Sequence, residues 1–245
     1  MLKYYQATHV GLVRSQNEDS ITVIEPNTFV VADGMGGQNA GEVASQMLIK
    51  IVTDELQSKS PTTWNEQALE AAILKANDII YKEAQENSER EGMGTTATIL
   101  HIAEPNEAQP QIITQLAYYA HVGDSRLYKL ANNNLQQITM DHSYVEDLVR
   151  RGEITEAEAK FHPMKNMLTQ AVGAIPEVSV DCGSFKVHNG DIFLLCSDGL
   201  TNMVDEPEIA QILQTTQNPA DALIEAALSH GGKDNISVIV AGVFE

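Results

Sequence analysis

The most informative run of this chain reads Thr28-Phe29-Val30-Val31-Ala32-Asp33-Gly34-Met35-Gly36-Gly37. Its first half is apolar and rich in β-branched residues, which is typical of a strand, and its glycine-rich second half favours a tight turn. A carboxylate placed where a strand meets a turn is held by rigid backbone and still faces solvent. Asp33 is therefore the first candidate site residue.

Three further aspartates stand in the same kind of position. They occur in Gly123-Asp124-Ser125-Arg126, in Ser197-Asp198-Gly199-Leu200 and in Asp234-Asn235-Ile236-Ser237. Each lies at the edge of an apolar or β-branched run. If such carboxylates converge, they form the oxygen-rich pocket that Mg²⁺ or Mn²⁺ prefers. Spacing alone does not establish convergence, because the four elements are far apart in the sequence.

Two hairpins are predicted in the middle of the chain. The run Asn132-Asn133-Asn134 favours a turn, because Asn tolerates left-handed backbone, and it would join strands at 126–130 and 135–138. A polar segment that contains two prolines, 103–111, would join strands at 97–102 and 112–122 in a second hairpin with a longer loop.

Helices are predicted where apolar residues recur at helical spacing. Two long helices follow Asp33, with Thr63-x-x-Glu66 as a capping box for the second. Near the C-terminus a short helix is predicted over 206–215, and Asn218-Pro219 begins another that Gly231-Gly232 ends. The apolar faces of the two long helices are formed by Ala44, Leu48, Ile51, Val52 and Leu56 and by Leu69, Ala72, Ile73, Ala76 and Ile80. Alternating βα units are absent from this order, so the pattern alone predicts an α+β fold.

Composition narrows the function classes. The 245 residues carry a net charge of −19 with only 15 Lys and Arg, a balance that repels nucleic acids and anionic membranes. No apolar stretch approaches 18 residues, and the N-terminus lacks the apolar core of a signal peptide. Two cysteines suggest no disulfide framework. We therefore expect a cytoplasmic protein that binds neither nucleic acid nor membrane.

Taken in order, the four Asp elements and four further runs resemble the metal-dependent Ser/Thr protein phosphatases of the PPM type (protein phosphatase 2C-like). The further runs are Arg14-Ser15-Gln16-Asn17-Glu18-Asp19, Gly94-Thr95-Thr96, Asp141-His142-Ser143 and Leu168-Thr169-Gln170-Ala171-Val172-Gly173. The resemblance covers nearly the whole chain. It implies one domain over 1–245, a four-layer α/β/β/α sandwich in which pairs of helices flank two antiparallel sheets, with a flap insertion at about 143–168.

The resemblance also implies a metal centre. Asp33 would bridge two Mg²⁺ or Mn²⁺ ions, with the backbone carbonyl of Gly34 as another ligand. Asp198 and Asp234 would bind the second ion. Asp124, together with Asp198, matches a third and weaker metal site described for bacterial members of the family.

Other residues would act around the ions. Glu18 and Asp19 match residues that work through bound waters, and Arg14 matches the residue that binds phosphate. His162, in the flap, is expected to contact the phosphosubstrate. The general acid stays open, because Met35 stands where some members carry His and a metal-bound water can serve instead.

The implied reaction is hydrolysis of phosphoserine and phosphothreonine in proteins by a water held between the two ions. It needs no nucleophilic side chain, and Cys196 does not begin a Cys-x5-Arg loop because residue 202 is Asn202. The expected partners are phosphorylated proteins, namely a bacterial Ser/Thr kinase and its targets, and the protein is expected to be a monomer.

Two alternative functions are compatible with the same family resemblance. A catalytically dead relative that serves as a binding module would be expected if one of the ligand aspartates were replaced, and none is. A phosphatase directed at one dedicated regulator stays open. The lack of a sensor domain disfavours it without deciding the matter.

Overall fold

The computed structural model describes residues 2–37, 40–104 and 115–243. In chain order its strands are β1 (Leu2–His9), β2 (Asp19–Ile24), β3 (Thr28–Met35), β4 (Gly94–Thr95), β5 (Ala97–Ile102), β6 (Gln115–Val122), β7 (Arg126–Ala131), β8 (Asn134–Gln137), β9 (Asp181–Val187), β10 (Ile192–Cys196) and β11 (Ile236–Val243). Its helices are α1 (Ala40–Gln57), α2 (Glu66–Glu86), α3 (Tyr144–Arg150), α4 (Glu156–Ala159), α5 (Asp198–Thr201), α6 (Glu206–Thr215) and α7 (Pro219–Ser229).

The described strands form two antiparallel sheets. The first sheet has the strand order β1-β11-β10-β7-β8. The second has the order β2-β3-β5-β6-β9, and β4 pairs with β3 beside this path. Because β6 belongs to the second sheet and β7 to the first, the turn between them carries the chain from one sheet to the other.

Strand β3 explains why the run at 28–35 is apolar on both of its faces. Successive side chains of a strand point to opposite sides of the sheet. Val30 and Ala32 join the core that the second sheet forms with α1 and α2. Phe29 and Val31 join the core between the two sheets. All four side chains are fully buried.

The first sheet is covered in the same way on its outer face. Leu194 and Val238 pack there with Ile209 and Leu213 of α6 and with Leu223 of α7. Helix pair, sheet, sheet and helix pair thus follow one another as four layers. This order confirms the predicted α+β class and the α/β/β/α sandwich implied by the resemblance.

Helix α2 begins differently from the prediction. Its N-cap is Asn65, whose side chain accepts a hydrogen bond from the backbone N–H of Ala68 at 3.1 Å. Thr63 lies in a preceding 3₁₀ turn and donates its hydroxyl to the carbonyl of Ser60 at 2.7 Å. The predicted capping box from Thr63 to Glu66 is therefore wrong, because the turn engages the threonine and Asn65 is an equally good cap.

The first predicted hairpin is confirmed. Asn132 and Asn133 have φ of 50° and 62°, which is the left-handed conformation of a two-residue turn between β7 and β8. Strands β5 and β6 pair as expected for the second hairpin, whereas residues 105–111 of its loop and the residues at 112–114 lie outside the described residues.

Among the helices in the described ranges, none combines the length and the apolar character needed to cross a bilayer.

Candidate metal centre

The four predicted aspartates lie at ends of neighbouring elements. Asp33 is near the end of β3, and Asp124 lies in the turn between β6 and β7. Asp198 is the first residue of α5, two positions after the end of β10, and Asp234 lies two positions before the start of β11. Because β3 belongs to one sheet and β10 and β11 to the other, the site draws on both sheets.

Electrostatic coupling indicates that these carboxylates lie near one another. Burial raises the pKa of Asp33 well above its ordinary value, and the charges of Asp19, Asp198, Asp124 and Asp234 raise it further. Like charges raise a carboxyl pKa only when they are close. Residues that are more than 200 positions apart in the chain therefore share one site.

The pKa values of Asp124 and Asp198 are raised by the same causes as that of Asp33. Burial raises the pKa of Asp124 above its ordinary value, and the charge of Asp198 adds to the effect. Burial also raises the pKa of Asp198 to about 6, with a contribution from Asp234 and against a hydrogen bond to Asp33. Asp33, Asp124 and Asp198 are each half-buried, so solvent still reaches them.

The backbone around Asp33 is fixed independently of its carboxylate. The N–H of Asp33 donates to the Thr96 hydroxyl at 2.9 Å, and its carbonyl accepts from the N–H of Thr96 at 2.8 Å and from the Thr95 hydroxyl at 3.0 Å. Thr96 Oγ1 is also 2.7 Å from Ser125 Oγ. One threonine thus ties Asp33 to the turn that carries Asp124.

Asp19 supplies an incompletely satisfied carboxylate. It is 8% exposed, and its Oδ2 accepts a hydrogen bond from Ser197 Oγ at 2.7 Å. Its Oδ1 is buried without a hydrogen-bond partner among the described residues. Burial raises the pKa of Asp19 to about 7. A buried oxygen of this kind is costly unless a further ligand satisfies it.

Gly34 lies where only a glycine fits. Its N–H donates to the carbonyl of Glu18 at 3.1 Å, and a Cβ at this position would collide with the carbonyl of Gly41 at the start of α1. The Glu18 side chain lies against Gly41 in turn. Burial raises the pKa of Glu18. Glu18 and Gly34 are therefore packed together at the edge of the site.

Asn235 holds the loop between β1 and β2 against this site. Its side chain accepts the N–H of Glu18 at 2.8 Å and donates to the carbonyls of Val10 at 2.9 Å and Gln16 at 2.8 Å. The sequence interpretation gave Asn235 no role. Its position directly after Asp234 was the available signal, since an amide can bind three backbone groups at once.

Arg14 is brought to the site, and its partner is Asp234. The guanidinium donates from Nη2 to Asp234 Oδ2 and from Nε to Asp234 Oδ1, both at 2.9 Å. The Arg14 side chain is 50% exposed. The proposed phosphate-binding group thus lies at the mouth of the site and forms a two-pronged ion pair with a proposed metal ligand.

The flap segment (143–168) reaches the site through a lysine rather than through His162. Lys165 Nζ donates to Asn202 Oδ1 at 3.3 Å, and Asn202 Nδ2 donates to Asp198 Oδ2 at 2.8 Å. His162 makes its described contacts within the flap segment: its ring lies 6.0 Å from that of Tyr144, and its Nδ1 accepts the N–H of Met164 at 3.2 Å.

The donor set fits divalent cations in its chemistry. The groups are carboxylates, one of them with an unpartnered buried oxygen, and hard divalent cations prefer oxygen ligands. Within the described residues, no three His, Cys, Asp or Glu side chains already stand as a ready-made set around one point. In the part of the chain that the structure describes, the carboxylates therefore lie near one another without surrounding a common point.

Comparisons with known proteins give a consistent result. The family model described as Protein phosphatase 2C matches residues 13–230. The serine/threonine phosphatase stp of Listeria monocytogenes is 40% identical over 95% of this chain and 92% of its own length. The serine/threonine protein phosphatase PstP of Mycobacterium tuberculosis is 37% identical over 100% of this chain and 46% of its own length.

Solved structures that are similar to this chain are also serine/threonine phosphatases. A crystal structure of the Mycobacterium tuberculosis serine/threonine phosphatase PstP/Ppp has a TM-score of 0.89 at 36% identity and covers 100% of this chain and 99% of that chain. The catalytic domain of PstP in complex with two manganese ions has a TM-score of 0.86 at 36% identity, with the same coverage.

Proposed function

The chain belongs to the protein phosphatase 2C family, and from this we infer that it is a metal-dependent phosphatase of phosphoserine and phosphothreonine in proteins. The observation that carries the inference is that carboxylates from both sheets lie close to Asp33. The relatives are named serine/threonine phosphatases, and one similar structure holds two manganese ions. Two Mg²⁺ or Mn²⁺ ions are the cofactors that this donor set would take.

We assign the ligands as follows. Asp33 and the carbonyl of Gly34 would hold the ions together with Asp198 and Asp234, and Asp124 with Asp198 would hold a third, weaker one. Two cations bound in such a centre supply a water of lowered pKa and a counter-charge for the phosphoryl oxygens.

Two further carboxylates would interact with the ions indirectly. Glu18 and Asp19 would act through water molecules, in line with the unpartnered Oδ1 of Asp19.

Arg14 would orient the phosphate. A guanidinium engages two phosphate oxygens at once and stays charged at all relevant pH values. Because Arg14 is paired with Asp234 and half-exposed, phosphate binding requires it to share or exchange that partner. Removing the guanidinium should therefore raise KM for phosphosubstrates and also loosen Asp234.

His162 is proposed to contact the protein substrate rather than the reacting phosphate. The support is its place in the flap segment, whose Lys165 reaches Asp198 through Asn202. A His162→Ala enzyme should show a higher KM for a phosphothreonine peptide and unchanged hydrolysis of para-nitrophenyl phosphate. Unchanged kinetics on the peptide would remove the role.

Substitution at the site tests the function as a whole. The wild type should hydrolyse para-nitrophenyl phosphate and a phosphothreonine peptide with Mn²⁺, and a chelator should stop both reactions. Asp33→Ala and Asp198→Ala should abolish turnover, whereas Asp78→Ala, on the exposed face of α2, should leave it unchanged. Near-normal turnover in either site variant would show that the ligand assignment is wrong.

The cellular setting is also part of the proposal. The relatives' names support phosphorylated proteins as substrates, and we propose that a Ser/Thr kinase and its targets are the partners of this protein, which acts as a cytoplasmic monomer. Light scattering on the purified protein tests the monomer. Phosphoprotein profiles of cells with and without this protein test the opposition to a kinase.

A further inference from the structure

His142 lies where three parts of the molecule meet. Its backbone N–H donates to the carbonyl of Gly123 at 2.7 Å, and its own carbonyl accepts the N–H of Thr169 at 2.8 Å. Its ring Nδ1 accepts the N–H of Gly123 at 3.2 Å, and its Nε2 lies 3.2 Å from Asp181 Oδ2 in β9. One largely buried residue therefore binds both backbone groups of Gly123.

The same residue closes the base of the flap segment. Ser143 and Leu168 form an isolated antiparallel bridge, and the N–H of Tyr144 donates to the carbonyl of Met167 at 2.8 Å. The bond from Thr169 to His142 continues this short ladder outside the flap segment. The two ends of the flap segment are thus tied to each other beside His142.

The turn that follows Gly123 has anchors on both sides. On its near side His142 holds Gly123. This glycine has a φ of +110°, and a Cβ added at this position would clash with Thr96. On its far side the Ser125 carbonyl accepts the Thr98 hydroxyl at 3.0 Å, and Ser125 Oγ lies 2.7 Å from Thr96 Oγ1. Asp124 stands between these anchors, so the near one helps to set its carboxylate.

We propose that His142 is a positioning residue that couples the base of the flap segment to the turn carrying Asp124. The bond from Gly123 to Nδ1 is the link. A cation held at Asp124 restrains the turn and, through His142, the flap base; by reciprocity, substrate contacts that restrain the flap base favour the cation at Asp124. The part concerning the cation rests on the proposed assignment of Asp124, whereas the mechanical link does not.

A matched pair of substitutions separates the two ring nitrogens. In His142→Asn the amide oxygen lies close to the position of Nδ1, so the bond from Gly123 is kept and the contact with Asp181 is lost. In His142→Gln the longer amide reaches the position of Nε2, so the contact with Asp181 is kept and the bond from Gly123 is lost. Both remove the imidazole, so a merely structural role for the ring would be disturbed by both.

Hydrogen exchange read by mass spectrometry tests the link in the metal-free protein. In His142→Gln, exchange over 122–126, 142–145 and 167–170 should be faster than in the wild type by about fivefold, the effect of one hydrogen bond. In His142→Asn these segments should exchange as in the wild type, and β11 should be unchanged in both. Equal exchange in the two variants, or faster exchange only over 122–126, would overturn the proposal.

Added Mn²⁺ tests the part that depends on the cation. In the wild type and in His142→Asn, Mn²⁺ should slow exchange over both 122–126 and the flap base, and in His142→Gln it should slow 122–126 alone. If Mn²⁺ slows both regions equally in His142→Gln, the coupling is refuted. If Mn²⁺ slows neither region in the wild type while the metal-free results hold, the assignment of a cation to Asp124 fails and the mechanical link stands.

Discussion

Gly34 and Gly37 stand three residues apart in the same turn and differ in what surrounds them. A Cβ on Gly34 would meet the carbonyls of Gly41 and Glu18, whereas a Cβ on Gly37 would meet none of the described residues within 4 Å. Neither position has a left-handed φ, so the contrast is one of space alone. It separates a glycine that the site requires from one that it does not.

Gly34→Ala should therefore lower both stability and activity. Its methyl group must displace backbone at the start of α1, an overpacking that costs about 1–3 kcal/mol. Urea unfolding should show this loss, and phosphatase activity should fall with it because Asp33 is the preceding residue. Gly37→Ala is the matched control and should change neither quantity. Equal behaviour of the two variants would contradict the packing argument.

Arg126 and Asp141 form a largely buried ion pair behind the Asp124 turn. Arg126 donates to Asp141 from Nε at 2.9 Å and from Nη2 at 2.7 Å. Burial would lower the Arg126 pKa, yet the bonds to Asp141 outweigh it and raise that pKa. Because the two charges neutralise each other, each depends on the other for its place in the core.

Asp141→Ala should consequently cost about 3–5 kcal/mol of unfolding free energy, because it leaves the guanidinium buried without its partner. The double variant Arg126→Met, Asp141→Leu should recover a large part of this loss. Chemical denaturation of the wild type, the single variant and the double variant measures both values. A double variant that is less stable than Asp141→Ala would show that unpaired charge is not the cause.

At the scale of elements, His101 fixes the contact between β5, β3 and the turn before α2. Its Nδ1 lies 2.8 Å from the Thr28 hydroxyl, and its ring lies between those of Trp64 and Tyr118 at centroid distances of 5.4 and 6.4 Å. Burial lowers the pKa of His101 to about 4, against a hydrogen bond with the backbone of Asn27. The ring is therefore neutral in the folded protein down to acidic pH.

Burial of His101 should make the free energy of unfolding depend on pH. The unfolded chain takes up a proton on His101 below its ordinary pKa of about 6.5, and the folded protein does so only near 4. Stability is therefore lost as the pH falls between these values, by about 2–3 kcal/mol at pH 4.5. Urea unfolding from pH 7.5 to 4.5 should show a smaller loss for His101→Gln than for the wild type. Parallel curves would refute the assignment.

The elements could be predicted from the sequence to very different degrees. Helix α6 was predicted at 206–215, its observed bounds, and α7 was found from Asn218-Pro219, because periodicity and end signals agree there. The start of α2 was missed, since Thr63 and Asn65 are both good caps and only tertiary packing chooses between them. Asn235 stands beside a candidate ligand, but its bonds to Val10 and Gln16 depend on how the loop between β1 and β2 packs, which no local pattern predicts.

The residues of the site could be predicted from the sequence, but their arrangement in space could not. The position of each Asp beside a strand follows from local pattern, but the meeting of Asp33 with Asp198 and Asp234 depends on how two sheets stack. Only the resemblance to the family supplied that step. It did not supply the pairing of Arg14 with Asp234 or the place of His142, which are particular contacts of this chain.

At the scale of the whole molecule, the carboxylates join the two sheets. Asp19 and Asp33 come from the second sheet, while Asp198 and Asp234 flank strands of the first. Their repulsion opposes the stacking of the sheets, and cations shared between them would reverse that effect. If the centre binds metal as proposed, that capacity lowers the stability of the metal-free protein.

Thermal unfolding with and without metal should show this loss of stability. Mn²⁺ at a hundredfold excess over its dissociation constant should stabilise the wild type by about 2.7 kcal/mol. Asp33→Asn should melt at a higher temperature than the wild type without metal, because the cost of burying a carboxyl group beside other carboxyl groups is gone, and should gain little from Mn²⁺. A variant that is destabilised without metal and still stabilised by Mn²⁺ would contradict this account of the centre.

Aspartates from both sheets are proposed to hold divalent cations at one place. Anomalous diffraction from crystals soaked in Mn²⁺ is a direct test of this. We predict two strong manganese peaks bounded by Asp33, Asp198 and Asp234, and a weaker third peak beside Asp124. Crystals that show these side chains in place and no manganese peak among them would contradict the claim.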